Sequence, residues 1–99
     1  MIALAGSFRL PLEAREQALP LMAAVIAASN AEAGCRAYAY SEDVMEPGLY
    51  RVFELWESEA ALKAHFDATH MKKWVAERAK LGFYDRVITR YVVSDPQMV

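Results

Sequence analysis

The sequence predicts an α+β fold of order β-α-β-β-α-β, and three observations carry that prediction. Period-two alternation recurs at Ile2–Leu10, Cys35–Glu42, Leu49–Glu57 and Arg86–Val93. Helical periodicity fills the two long intervals, between the first and second runs and between the third and fourth. The one short interval holds Glu46-Pro47-Gly48, a turn signal that joins the middle runs as a hairpin. Two such halves make the split pattern of ferredoxin-like folds: a four-stranded antiparallel sheet with its helices on one face.

Each element has a local reason. In the first strand Ile2, Leu4, Phe8 and Leu10 share one face and Ala3, Ala5 and Ser7 the other, and Pro11 ends it. A helix follows from about Glu13 to Asn30, with Leu19, Met22, Val25, Ile26 and Ser29 at helical spacing. Pro20 falls inside that pattern and is expected to kink the helix or move its start later. Gly34, in the stretch EAGC, suits the left-handed position that stops a helix. The second strand alternates Arg36, Tyr38 and Tyr40 against Cys35, Ala37 and Ala39. The third sets Tyr50, Val52, Glu54 and Trp56 against Arg51, Phe53, Leu55 and Glu57. Ser58 reads as an N-cap, with Glu59 in the first turn where the helix dipole favours an acid. Leu62, His65, Phe66 and Thr69 then lie on one side of a short helix. A second piece, His70 to Leu81, groups Met71, Trp74 and Val75 before Gly82 breaks it, and Asp95-Pro96 ends regular structure.

The strands carry apolar residues on both faces. Phe53 and Leu55 stand against Val52 and Trp56, and Ile88 and Val92 against Val87 and Tyr91. A sheet with one wet face alternates apolar and polar residues instead. The apolar share is 56%, above the usual ~45–50%, in a chain of 99 residues that reads as one domain with a modest core. A second copy covering the bare sheet face would resolve both, so a homodimer is expected. The net charge of −2 comes from interspersed acids and bases, which excludes a basic nucleic-acid footprint. No apolar run approaches the ~18 residues of a membrane span. The opening MIALAGSFRL lacks a charged leader and reads as a strand. The lone Cys35 excludes an internal disulfide and fits a reducing compartment, so a cytoplasmic location is expected.

Chemistry is concentrated between Leu49 and Trp74. Glu54 is a carboxylate in a largely apolar strand face, and His65 lies on the helix that would cover it. Either the two satisfy each other structurally or they line a cavity. Glu54 needs some partner, because an unpaired buried carboxylate is costly. It could orient His65, act as a base, or bridge to Arg90 or Arg51. His70 follows His65 by five residues rather than the three or four that align ligands on one helical face, so no metal site is expected. His70 instead suits a cap or the entrance of a pocket. Tyr38, Tyr50, Trp56, Phe66 and Trp74 could stack on a flat substrate or serve as plain core. Ser7 is the one small polar side chain inside the first strand and could donate to a substrate oxygen or sit exposed at an edge. Cys35 has no base near it in sequence and reads as a small buried hydrophobe.

These residues resemble a family. EAGCRAY followed by YRVFELWESEAALKAHFDATH is similar to the signature of the antibiotic biosynthesis monooxygenase superfamily, small dimeric α+β barrels that include quinol monooxygenases. The resemblance spans the element order of the whole chain and is sharpest from Glu32 to His70. It implies a dimer with a pocket in each subunit between sheet and helices. It also implies oxidation of a small aromatic quinol or phenol by molecular oxygen, without metal, flavin or other cofactor. In that chemistry a base takes a phenolic proton, and the electron-rich anion then reduces oxygen. The matching position makes His65 the expected proton acceptor, with Glu54 or Ser7 in support. Tyr38, Tyr50, Trp56, Phe66, His70 and Trp74 would surround the substrate. The haem-degrading branch instead carries an asparagine on the first strand and a tryptophan at the position of His65. Here Ser7 and Phe8 occupy that strand, so haem degradation is set aside. Two rivals remain. One is an isomerase of a small dicarbonyl, which would need a phosphate site near Arg36, Arg86 or Arg90 although no glycine-rich loop or arginine cluster is visible. The other is a non-catalytic barrel that binds a small ligand.

Overall fold

The computed structural model describes residues 1–99. Strand β1 (Ile2–Arg9) leads through a single 3-10 turn (Leu12–Ala14) into helix α1 (Arg15–Asn30). Strands β2 (Cys35–Glu42) and β3 (Leu49–Trp56) form the expected hairpin. Helices α2 (Glu59–Asp67) and α3 (Thr69–Lys80) precede β4 (Tyr84–Val92). The sheet order is β2-β3-β1-β4, with every neighbouring pair antiparallel. This is the ferredoxin-like topology that the alternation pattern predicted.

Local chemistry accounts for the boundaries. The Ser58 side chain accepts a hydrogen bond from the Ala61 N–H at 3.1 Å and caps α2. Asp43 accepts from the N–H groups of Met45 and Glu46 and tightens the β2–β3 turn. Gly48 in that turn has φ +86, which a side chain would resist. Helix α1 runs through Pro20 rather than starting after it. The proline is exposed, so its missing N–H costs one hydrogen bond at the surface and not in the core. Gly6 marks a close strand approach. A Cβ there would lie 1.9 Å from the Val87 carbonyl oxygen, beside the register shift between Ser7 and Arg9.

The helices cover one sheet face only. Phe8, Tyr50, Val52, Met22, Val25 and Trp74 form the larger buried cluster beneath α1 and α3. Ile2, Leu4, Tyr38, Trp56 and Leu62 form a smaller one beneath α2. Leu19, Phe66 and Val75, expected in the apolar stripes, are instead about half exposed. Ala18, His65 and Trp74 take the inward positions beside them. The opposite sheet face carries Phe53 at 46%, Val87 at 64% and Tyr91 at 51% exposure, with nothing over them. Phe53 stands between Ala5 on β1 and Ala39 on β2, a large ring flanked by small neighbours. No helix is long and apolar enough to cross a membrane.

Candidate active site

A cleft opens between the sheet and the α2–α3 pair. Its mouth, about 330 Å³, is lined by Phe66, Met71, Lys72, Val75, Arg78 and Arg86. Phe66, Met71, Arg78 and Arg86 continue inward to a narrow floor of about 20 Å³ lined also by Phe8, Tyr40, Val52, Glu54 and Ile88. Glu54 is therefore the one carboxylate at the bottom of a mostly apolar cleft.

Glu54 reaches that position because strand alternation turns Tyr50, Val52, Glu54 and Trp56 toward the helices. Trp56 Nε1 donates to Glu54 Oε1 at 3.0 Å, two residues along the same face. Glu54 Oε2 makes no hydrogen bond within the protein and is not sealed off, so it is the oxygen available to the cleft. Burial pushes the Glu54 carboxyl above its usual range. The Trp56 N–H, His65 and Arg86 pull in the other direction without cancelling burial. A carboxyl raised in this way is a stronger proton acceptor, once ionised, than an ordinary surface carboxylate.

His65 is fully buried and lines no part of the cleft. Its Nδ1 lies 2.6 Å from Glu32 Oε2, and its Nε2 points at Glu54 Oε1 across 4.0 Å with no hydrogen-bond partner. With Nδ1–H given to the Glu32 carboxylate, Nε2 is left as the basic nitrogen. The Trp56 ring packs on the imidazole at 4.6 Å between centroids and holds its plane. The row Glu32–His65–Glu54 thus connects the cleft floor to a carboxylate on the far side of the histidine. The expected bridges from Glu54 to Arg90 or Arg51 do not form. Arg90 pairs with Glu59, and Arg51 pairs with Asp43 from the open sheet face.

His70 Nε2 also lies 2.8 Å from Glu32 Oε2. The five-residue spacing does not separate the two histidines, because Ala68 is extended (ψ 143) and divides α2 from α3. Glu32 Oε2, His65 Nδ1 and His70 Nε2 lie within 4.8 Å of one another, the donor set of a His₂Glu zinc site. The same three groups also close as hydrogen bonds, two ring N–H groups converging on one carboxylate oxygen.

Two tyrosines complete the wall. Tyr40 lines the cleft floor and its hydroxyl meets that of Tyr38 at 2.7 Å. Burial pushes the Tyr40 phenol up to about 12 and the Tyr38 phenol further still. Both stay protonated and act as hydrogen-bond groups, not bases. Burial and the nearby Glu32 and Glu54 likewise raise the Cys35 thiol, which keeps it protonated.

The structure gathers some of the expected residues and scatters others. Glu54 and Phe66 line the cleft, while His65, Trp56 and Tyr38 stand behind Glu54. Tyr50 lies between β3 and α1 beside Arg15, and Trp74 is buried under α1 and α3, both off the cleft lining. Ser7 pairs with Arg51 and Val87 on the open sheet face, so the sheet separates it from His65 and Glu54. Glu32, Tyr40 and Arg78 were not among the expected site residues, and Arg86 was considered only for the phosphate site of the isomerase reading. Tyr40 was legible in the strand alternation that placed it beside Tyr38; Arg78 and Arg86 meet only through the α3–β4 turn.

Known proteins are similar to this chain in sequence and shape. The family model for antibiotic biosynthesis monooxygenase matches residues 1–77. A Synechocystis protein, sll1783, is 28% identical over 96 residues, covering 97% of this chain; the match spans 65% of that protein's length. YcnE of Bacillus subtilis, named as a candidate monooxygenase, is 32% identical over 82% of this chain and 85% of its own. A solved candidate antibiotic biosynthesis monooxygenase from Deinococcus radiodurans superposes with a TM-score of 0.91 at 23% identity, covering 100% of this chain and 98% of the other. By the family model, which covers more than half of its length, the chain belongs to the antibiotic biosynthesis monooxygenase family.

Proposed function

We propose that this protein is a cofactor-independent monooxygenase that oxidises a small aromatic quinol or phenol with molecular oxygen, and that Glu54 is its base. The observation that supports this most is the raised, buried carboxyl at the floor of an apolar cleft, backed by His65 and Glu32. Glu54 Oε2 takes the phenolic proton, and the anion passes electrons to oxygen. For a quinol the sum balances without an external reductant: one oxygen atom enters a ring carbon, the other leaves as water, and the hydroxyquinone formed has given up four electrons. His65 Nε2 stands 4.0 Å from Glu54 Oε1, too far for a hydrogen bond, so His65 is a positioning group behind the carboxylate rather than the first acceptor. The apolar walls keep water from the anion.

The bare sheet face with Phe53, Val87 and Tyr91 supports a homodimer joined through the sheets. Oxygen uptake by the metal-stripped protein over hydroquinones and naphthols tests the reading. Uptake above autoxidation is expected, falling roughly 10²–10⁴-fold in Glu54→Gln and less in His65→Gln. Absence of uptake across the panel, or full activity in Glu54→Gln, contradicts it.

A further inference from the structure

Seven arginines are distributed over the chain, and five have carboxylate partners: Arg9 with Glu46, Arg15 with Glu42, Arg36 with Glu57, Arg51 with Asp43 and Arg90 with Glu59. The two without one are Arg78 and Arg86, and both line the mouth of the cleft. They repel each other there. Lys72 adds a third positive charge to the rim, and no acid lines the mouth. Arg78 is partly buried, its guanidinium fixed 4.2 Å over the Phe83 ring. Holding two like charges together, one of them desolvated, costs free energy that the Phe83 ring and the more deeply set Glu54 offset only in part, because neither arginine has a carboxylate within salt-bridge distance. Guanidinium groups left unpaired at a cavity are suited to bidentate capture of a planar or tetrahedral oxyanion.

We propose that the cleft mouth is an oxyanion subsite, in which Arg78 and Arg86 hold a carboxylate or phosphate carried by the substrate. The substrate is then an apolar ring or short planar body with one terminal anionic group. The anion sits at the rim and the reacting hydroxyl reaches inward to Glu54. The inference rests on the cleft being the substrate site, as the oxygenase reading has it, but not on oxygen being the co-substrate. It corrects the expectation that the sequence holds no arginine cluster. Of Arg36, Arg86 and Arg90, considered for such a role in the isomerase reading, Arg36 and Arg90 are already paired, and only Arg86 has no carboxylate partner.

Titration calorimetry with 2,5-dihydroxybenzoate, phenyl phosphate and hydroquinone tests it, alongside oxygen uptake on the two quinols. The charged probes are expected to bind at least tenfold more tightly than hydroquinone. The preferred one of the two identifies the anion as carboxylate or phosphate. Binding should weaken with added salt. Arg86→Gln, on an exposed strand position with no salt-bridge partner, should cost roughly ten- to a hundredfold in affinity for the charged probes and much less for hydroquinone. Arg78→Lys should lose part of that affinity, and Lys80→Gln, away from the cleft, none. Equal affinity for charged and uncharged probes, or unchanged binding in Arg86→Gln, overturns the subsite while leaving hydroquinone uptake to judge the oxygenase. Arginine-dependent anion binding without oxygen uptake upholds the subsite and removes the oxygenase.

Discussion

At the scale of single residues, the chemistry turns on how Glu54 is held between ionised and neutral. Burial favours the neutral acid, and the Trp56 N–H favours the carboxylate. Activity by the proposed mechanism needs the ionised form, so kcat/KM should rise with pH through a limb above the ordinary carboxylate range. Trp56→Phe removes the donor and keeps most of the ring. It should move that limb to still higher pH while leaving the alkaline plateau within a few fold. A pH–rate profile of the two proteins checks this. A limb that stays in place would mean that Glu54 does not set it. His65 illustrates the limit of reading a site from residue type alone. Its place in an apolar stripe was legible, but complete burial takes it off the cleft lining, and in the proposed mechanism it acts through Glu54 rather than on the substrate.

At the scale of elements, two interruptions build the site. The break at Ala68 lets His65 and His70 converge on Glu32. In one unbroken helix, residues five apart would point roughly 140° apart. The sequence carries no glycine or proline at that break, which is why spacing arguments failed there. The second interruption is the β1–β4 register shift between Ser7 and Arg9, next to Gly6, where β4 comes too close for a side chain. Because β4 carries Arg86 and Ile88 to the cleft, Gly6→Ala should both destabilise the fold, by about 2–3 kcal/mol, and weaken ligand binding. Chemical denaturation and calorimetry on one preparation check both effects. An alanine variant of unchanged stability would show that β4 moves freely. Strand alternation, the hairpin turn and the Ser58 cap were all legible because each depends on neighbours in sequence. The arginine pair and the Glu32–His65–His70 convergence depend on tertiary placement, which no local pattern encodes.

At the scale of the molecule, one layer of helices on one side of a sheet leaves only 21 of 99 residues buried. The alternation of apolar residues on both strand faces already pointed to that deficit. In the proposed dimer, Phe53 lies near the centre of the joined faces, ringed by alanines that let the partner approach. Phe53→Glu should therefore shift the protein to monomer in sedimentation velocity and lower its thermal midpoint in a concentration-dependent way. An unchanged sedimentation coefficient would place the interface elsewhere or show that the chain is monomeric. The cleft opens on the helix side, away from that face, so Glu54 and the two arginines come from one subunit.

The most direct test of the central claim is turnover of a quinol under ¹⁸O₂ by metal-stripped protein, with product analysed by mass spectrometry. The account predicts one labelled oxygen atom per product molecule, one quinol consumed per oxygen molecule, and loss of this product in Glu54→Gln. Product that carries no label, release of peroxide in place of water, or labelled product formed equally by Glu54→Gln would contradict it.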